Sequence, residues 1–255
     1  MNKEYPSYLH AYDTGKLKEA AQQTWQMLSS CALCPRQCNV NRLNNKVGYC
    51  KTGHNAKVYS YLAHSGEESP ISVTFVSGVI FFCGCTMSCL YCQNYAFSQR
   101  NEGKEITPER LAEMMLELQY ASCHNINLVT PTHLLAHILK ALIIAIEKGL
   151  HIPLVYNTSG YERPEIIQLL DGIVDIYLPD MRYGSDETAQ KYSRAPGYTE
   201  CNRRSIQEMH RQTGVAKFDE KGLMKQGLII RHLVLPADTA GTKSIMQFIA
   251  REVSS

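Results

Sequence analysis

The sequence predicts an α/β fold in which a parallel sheet is covered by helices and preceded by a cysteine-rich N-terminal appendage. From residue 76 onward, short apolar segments alternate with amphipathic helical segments, as in sheets whose strands are joined by helical crossovers. The ten cysteines include two groups, at 31–50 and 83–92. Hydrophobic residues make up 44% of the 255 positions, which is enough for one sizeable core.

Composition excludes several classes of protein. The net charge of +2 favours neither a nucleic-acid partner nor a membrane surface. The longest apolar stretch, Leu134–Ile146, is too short to span a bilayer. Residues 1–30 lack the apolar centre of a secretion signal. The sequence therefore predicts a cytoplasmic protein whose clustered cysteines hold metal rather than form disulfides.

Before the alternating region, two elements are expected. A helix over Gly15–Leu28 would place Leu17, Ala21 and Trp25 on one face. Lys57–Leu62 alternates between apolar and polar residues, which is typical of a strand.

The alternating region itself predicts five strands, each followed by a helix. The strands are Val76–Phe82, Ile126–Val129, Pro153–Tyr156, Ile173–Leu178 and Leu228–Leu235. Thr107 is expected to cap the first helix, and Gly149 to end the second. The helices that follow are His133–Lys148, Pro164–Leu170, Arg203–Thr213 and Thr242–Val253.

The first cysteine group has the spacing of a metal site. It comprises Cys31, Cys34, Cys38 and Cys50. Four thiolates complete either a tetrahedral zinc site or a second iron–sulfur cluster. Zinc would stabilise an appendage that has little hydrophobic core of its own. An iron–sulfur cluster would instead store electrons or pass them to the catalytic cluster. Four unligated thiols remain the alternative, and the spacing favours a structural metal.

The second group follows the first apolar strand directly. Cys85, Cys89 and Cys92 form the pattern C-x-x-x-C-x-x-C, with Tyr91 just before the last thiol. Three thiolates on one short loop can hold three irons of a 4Fe-4S cluster and leave the fourth iron open for a ligand. The alternatives are a zinc site, for which Cys83 is the nearest fourth ligand, and a chance grouping of buried thiols.

This cysteine pattern resembles the radical S-adenosylmethionine (radical SAM) superfamily. The flanks Phe81–Cys85 and Cys92–Tyr95 resemble the branch related to pyruvate formate-lyase activating enzymes, over about Tyr59–Pro236. The resemblance implies a partial (β/α) barrel. It also implies that the open iron binds S-adenosylmethionine, and that one electron cleaves it to methionine and a 5′-deoxyadenosyl radical, which abstracts hydrogen.

Several strand ends match the family's cofactor-binding positions. Tyr91 is placed to stack on the adenine. After the second strand the family often has Gly-Gly-Glu, which meets the methionyl amino group, whereas this chain has Val129–Thr132 and no acidic residue. Thr130 and Thr132 either bind the ammonium group or form a turn and a helix cap.

Later strand ends are matched in the same way. Asn157, Thr158 and Ser159 resemble the segment that meets the ribose and carboxylate, although a polar turn is the alternative. The segment Asp180–Arg182 resembles the family's aspartate-rich strand end. Asp180 is expected either to bind a substrate or a basic side chain, or to cap the loop. The segment Arg231–Pro236 resembles the strand that lies behind the adenine in the family. Arg231 itself either belongs to that cofactor site or pairs with a carboxylate.

Within the resemblance, the expected reaction is activation of a glycyl-radical enzyme, with a glycine backbone as substrate. A radical SAM enzyme acting on another peptide or small molecule is an alternative, and so is a non-catalytic iron–sulfur or zinc electron-transfer module. A flavodoxin or ferredoxin is the expected electron donor. The expected division is an appendage at 1–70 and a barrel at 71–255 that lacks the family's usual sixth strand.

Overall fold

A computed structural model describes residues 5–72 and 76–254. The ten α-helices in these ranges are α1 Ser7–Asp13, α2 Lys16–Gln26, α3 Ser69–Ser72, α4 Tyr95–Ser98, α5 Pro108–Tyr120, α6 Leu135–Glu147, α7 Pro164–Gln168, α8 Asp186–Ser193, α9 Tyr198–Thr213 and α10 Thr242–Glu252. The eight strands are β1 Ala56–His64, β2 Ser77–Phe82, β3 Lys104–Ile106, β4 Ile126–Val129, β5 Leu154–Thr158, β6 Ile176–Pro179, β7 Lys217–Phe218 and β8 Met224–Leu228.

All eight strands belong to one open sheet, in the order β3-β1-β2-β4-β5-β6-β8-β7. The five strands from β2 to β8 pair in parallel. The outer pairs β1–β2, β1–β3 and β7–β8 are antiparallel. This mostly parallel, unclosed sheet confirms the predicted α/β partial barrel.

The central strands form where the sequence is continuously apolar rather than alternating. Every residue of β4, β5 and β6 is buried, because helices or the site cover both faces of a parallel sheet. Strand β2 follows the same rule, with only Phe81 partly exposed. These four strands therefore fix the positions of the loops that follow them.

The main helices beside the sheet lie where the sequence predicts them, except that α9 begins at Tyr198 rather than Arg203 and α8 was not predicted. Thr107 caps α5, since its Oγ1 accepts a hydrogen bond from the Arg110 amide at 3.3 Å. On α5, Leu111, Met114, Met115 and Leu118 are all buried. After α6, Gly149 adopts a φ of +95°, a left-handed conformation that favours glycine and ends the helix.

The fifth parallel strand differs from the prediction of Leu228–Leu235. The strand is Met224–Leu228, and it begins in a hairpin with β7 across an Asp219–Gly222 turn. Beyond Leu228 the pairing with β6 is irregular: the Ile229 amide donates to the Tyr177 carbonyl, the Arg231 amide donates to the Pro179 carbonyl, and an isolated bridge pairs Asp180 with Arg231. The neighbouring β6 ends at Pro179, which has no amide hydrogen to donate, so the ladder cannot continue regularly.

The N-terminal part of the chain packs directly on this sheet. Strand β1 pairs with β2 along Val58–His64, and α2 packs against α6. Between residues 31 and 55 the regular structure consists of one 3₁₀ turn, Arg42–Asn44, and this segment lies next to the loop after β2. No helix in the described part of the chain is both long and apolar enough to cross a membrane.

Candidate functional site

A cavity of about 250 Å³ opens at the C-terminal ends of the parallel strands. Its wall includes most residues that the sequence assigned to the cluster and to cofactor binding: Cys85, Cys89, Cys92, Tyr91, Thr130, Asn157, Thr158, Ser159, Asp180 and Arg231. Thr132, the other candidate for the ammonium group, is buried against Glu162 and does not line the cavity. Parallel pairing explains this convergence, because it brings the ends of β2, β4, β5 and β6 to one edge of the sheet. Sequence analysis missed other wall residues, among them Met87, Gln93, Asn94 and Arg182.

Each thiol of the catalytic loop, defined as residues 83–92, has a polar neighbour. The Met87 amide donates to Cys85 Sγ at 3.3 Å. Ser193 Oγ donates to Cys89 Sγ at 2.9 Å. Ser98 Oγ lies 3.2 Å from Cys92 Sγ. Hydrogen bonds to sulfur stabilise negative charge on it and tune the potential of a bound iron–sulfur centre.

The aromatic residue of the loop extends this bonding. Tyr91 donates its hydroxyl to Tyr183 at 2.6 Å, and Tyr183 lies 2.5 Å from Ser193 Oγ. Because Ser193 in turn reaches Cys89, a continuous chain of hydroxyls joins the Tyr91 ring to a thiol. The ring is thereby held at the cavity wall, whereas Cys83 lies outside the wall and donates to the Glu102 carbonyl at 3.0 Å.

Arg182 brings positive charge to the thiols. Its Nη1 lies 3.7 Å from Cys89 Sγ, and its Nη2 donates to Asp180 at 2.5 Å. The side chain is only 24% exposed, so its charge acts through a medium that screens less than water. The sequence pointed to the segment Asp180–Arg182 at the end of the fourth strand, but only Asp180 was predicted as a site residue.

Asp180 joins this arginine to a second one. Arg231 Nε donates to Asp180 Oδ1 at 3.0 Å, and its Nη2 donates to Asn157 Oδ1 at 2.5 Å. Arg231 also meets Glu68 at 3.3 Å. The network fixes side chains from β5, β6 and the segment after β8, and it balances two guanidinium groups with two carboxylates.

Thr130 holds a strained backbone at the cavity wall. Its φ is +63°, which is rare for a β-branched residue and costs about 1–3 kcal/mol. Its amide donates to the Asn157 carbonyl at 2.9 Å. Such strain persists where surrounding contacts impose it, and here it directs the chain between β4 and α6 toward the cavity.

An acidic residue does support this region, although it does not follow β4. Glu162 is fully buried, and its Oε1 accepts hydrogen bonds from Thr132 at 2.5 Å and from Thr158. Its Oε2 has no hydrogen-bond partner in the described residues. Burial raises the pKa of Glu162 to about 7, although both threonine hydroxyls oppose the shift. Sequence reasoning missed Glu162 because it searched for a carboxylate after the second strand.

The N-terminal cysteines surround a separate enclosed cavity of about 10 Å³. Cys31, Cys34, Cys38 and Cys50 all line it. Among the described residues, neither cysteine group contains three His, Cys, Asp or Glu side chains that are placed to hold a metal ion together. The thiols of each group thus share a cavity wall, and the two cavities differ greatly in volume.

The family model of the Radical SAM superfamily matches residues 79–236. This range contains β2, the catalytic loop and most of the cavity wall. The chain belongs to the radical SAM superfamily. An uncharacterized protein from Methanocaldococcus jannaschii is 30% identical over 239 residues, which are 90% of this chain and 64% of that relative. The radical SAM chain therefore spans less than two thirds of the relative's length.

Membership in the radical SAM superfamily implies an enzyme that uses an iron–sulfur cluster and S-adenosylmethionine. The donor set fits such a cluster, since three thiols with hydrogen-bond donors and a nearby guanidinium suit a group of net negative charge. Withdrawal from water raises the pKa of Cys85 to about 12, and a bound metal overcomes such a shift by deprotonating its thiol ligands.

Glu162 predicts a specific pH dependence of stability. Because its folded pKa is raised from 4.5 to about 7, the folded chain holds a proton that the unfolded chain releases in this interval. Its contribution to stability is present below pH 4.5 and is lost as the pH rises to 7, by about 3 kcal/mol at most. Urea unfolding at several pH values should therefore show a stability difference between the wild type and Glu162→Gln that falls as the pH rises from 4.5 to 7.

The exposed Glu187 supplies a matched control, since Glu187→Gln should keep the wild-type pH dependence. Asp175, whose pKa burial raises to about 6, and His133 and His137, whose pKa values burial lowers to about 3 and about 4, affect all three proteins alike and cancel from this difference. Equal slopes in the wild type and Glu162→Gln would contradict the assignment.

Proposed function

We propose that Cys85, Cys89 and Cys92 bind a 4Fe-4S cluster whose fourth iron remains open to S-adenosylmethionine. The observation that carries this proposal is the shared cavity: the three thiols of the C-x-x-x-C-x-x-C pattern and the matched strand ends line one wall. Arg182 supports it, because a guanidinium 3.7 Å from Cys89 Sγ offsets the negative charge of thiolate ligands.

The remaining wall residues would position the cofactor. Tyr91 stacks on the adenine, while Asn157, Thr158 and Ser159 meet the ribose and carboxylate. The Thr130 segment receives the amino group in place of an acidic motif. When bound, the cluster supplies the electron that cleaves S-adenosylmethionine to methionine and a 5′-deoxyadenosyl radical.

The charged network gives the protein its own part in this chemistry. Asp180 is held by Arg182 on one side and Arg231 on the other, so its carboxylate is fixed at the wall rather than free to rotate. Arg231 in turn orients the side-chain amide of Asn157 by donating to its oxygen. Groups fixed in this way bind a polar ligand without losing further side-chain entropy.

For the hydrogen donor we propose a glycine backbone of a glycyl-radical enzyme. The support is the resemblance of Phe81–Cys85 and Cys92–Tyr95 to the activating-enzyme branch. Other peptides and small molecules remain alternatives, because one fold hosts many chemistries.

For the electron donor we propose a small acidic flavodoxin or ferredoxin. A groove of about 460 Å³ runs along the outside of the catalytic loop, and Cys85 lines both this groove and the inner cavity. Among the residues that the structure describes, its wall includes the cations Lys51 and Arg194 and no carboxylate. Leu90 is 73% exposed at the same place. Positive charge beside an exposed apolar side chain suits brief docking of an acidic carrier.

For the N-terminal thiols we propose a single zinc ion. The space of about 10 Å³ that this cavity offers to a water-sized group favours a single ion over a cluster of four irons and four sulfides. Arg42 lines the cavity and is fully buried. It forms no ion pair with a carboxylate among the described residues, and its Nη2 has no hydrogen-bond partner there. A buried cation of this kind requires nearby negative charge, which metal-bound thiolates provide.

Loss of one proposed ligand tests the catalytic assignment. Anaerobically reconstituted protein with dithionite and S-adenosylmethionine should release 5′-deoxyadenosine, measured by chromatography, and should contain about four irons and one zinc per chain. Cys89→Ala should lose the release and much of the iron but keep the zinc. Cys201→Ala removes a partly buried thiol that lines neither cysteine cavity and should behave as the wild type. Full cleavage by Cys89→Ala would refute the assignment.

The substrate proposal has its own measurement. A peptide carrying α-deuterated glycine should pass deuterium into 5′-deoxyadenosine, which mass spectrometry detects. Release of 5′-deoxyadenosine without deuterium would remove glycine peptides as substrates while leaving cofactor cleavage intact.

Reversal of charge tests the docking groove. Arg194→Glu should slow reduction by flavodoxin by about tenfold, as expected when a steering charge is reversed, and the effect should weaken at high salt. Reduction by dithionite should stay unchanged. Lys148→Glu makes the same charge change at the exposed end of α6 and should reduce normally. Equal flavodoxin rates in all three proteins would exclude this groove.

A further inference from the structure

We propose that the metal bound by Cys31, Cys34, Cys38 and Cys50 acts as a clamp that positions the catalytic loop. The inference rests on the proposed function, in which this loop holds the catalytic cluster. Its basis is that the residues flanking the N-terminal thiols make direct contacts to the loop that carries Cys85, Cys89 and Cys92. We call residues 31–53 the clamp segment.

The first contact comes from Arg36, which lies between Cys34 and Cys38. Its Nε donates to the Thr86 carbonyl at 2.9 Å, next to Cys85. Its guanidinium also donates to the Arg194 carbonyl and lies 3.6 Å from the centre of the Tyr49 ring. One side chain of the clamp segment therefore binds the backbone of the catalytic loop and that of the neighbouring α8 terminus.

The second and third contacts come from the residues on either side of Cys50. Tyr49 donates its hydroxyl to Ser88 Oγ at 2.9 Å, one position before Cys89. Lys51 donates to the Gln99 carbonyl at 2.8 Å. Gln99 in turn donates its side-chain amide to the Cys89 carbonyl at 2.9 Å. Displacement of Cys50 would thus be transmitted to the backbone on both sides of Cys89.

The backbones of the two segments also pack without space between them. Gly84 has a φ of +80°, and a Cβ at this position would lie 2.3 Å from the Cys50 carbonyl oxygen. Only glycine permits this approach. The N-terminal ligand Cys50 therefore touches the residue that immediately precedes the catalytic ligand Cys85.

A series of buried polar contacts also connects the N-terminal thiols to the catalytic loop. Arg42 Nη1 lies 3.8 Å from Cys31 Sγ and donates to the His133 carbonyl at 2.6 Å. His133 Nε2 donates to the Cys83 carbonyl at 2.8 Å. Arg42 and His133 are both almost fully buried, so these bonds have little competition from water.

A metal would add to the contacts that hold the clamp segment in this position. The segment contains one 3₁₀ turn and otherwise no helix or strand, and six backbone hydrogen bonds join its 23 residues, so little secondary structure opposes its conformational entropy. One ion on four thiols would join residues 31, 34, 38 and 50 at a single point. The positions of Arg36, Tyr49 and Lys51 would then be fixed together, and the catalytic loop with them.

Hydrogen–deuterium exchange of the anaerobic holoenzyme tests the clamp without relying on activity. Cys34→Ser should lose zinc, and amides of 83–92 should then exchange faster while iron is released faster to a chelator. Tyr49→Phe keeps all four thiols and should retain zinc. It should raise loop exchange about fivefold, the effect of losing one hydrogen bond of roughly 1 kcal/mol. Tyr120→Phe alters a tyrosine that is 75% exposed and should match the wild type.

Two results would overturn the clamp. The first is faster exchange throughout Cys34→Ser with an unaffected loop in Tyr49→Phe, which would mean general unfolding. The second is wild-type exchange and iron retention in zinc-free protein. An iron–sulfur cluster on the N-terminal thiols would refute the zinc assignment. Wild-type protein that binds no iron at Cys85, Cys89 and Cys92 would instead defeat the proposed function.

Discussion

Parallel pairing of β2, β4, β5, β6 and β8 is the constraint on which the site depends. Each strand in this series ends at the same edge of the sheet, so the residues after it enter one cavity although up to 146 positions separate Cys85 from Arg231. Strands β4, β5 and β6 are buried on both faces, and a shift of one of them would expose apolar side chains and break its backbone bonds. The cavity is rigid because such a shift would raise the free energy of the folded sheet.

Charge balance then determines what this cavity can hold. Arg182 and Arg231 share Asp180, so neither guanidinium is left unpaired at the wall. Arg182 also reaches Cys89, which makes the thiol end of the cavity suitable for an anionic cluster. Glu162, which accepts a hydrogen bond from the wall residue Thr158, forms a buried polar group of different character, with its pKa raised to about 7 by burial.

The two cysteine groups line cavities of different volume, and the volume affects which metal group each could hold. About 10 Å³ among the N-terminal thiols suits one ion, whereas about 250 Å³ at the strand ends leaves room for a larger group and a ligand. The groups are also neighbours, because Gly84 packs on the Cys50 carbonyl. Residues 31–53 thus lie directly against the loop that carries Cys85, Cys89 and Cys92.

The sequence by itself determined the α/β class, the cysteine loop after β2 and the wall residues from Tyr91 to Arg231, since continuous apolar runs and residue spacing are local properties. It misplaced the fifth strand, because that strand begins in the hairpin with β7 and pairs with β6 only at Gly227 and Leu228. It also missed Arg182, Glu162 and Arg42, whose significance lies in what they face. Only the tertiary structure decided those roles, because burial and pairing between distant residues exist only once the sheet has formed.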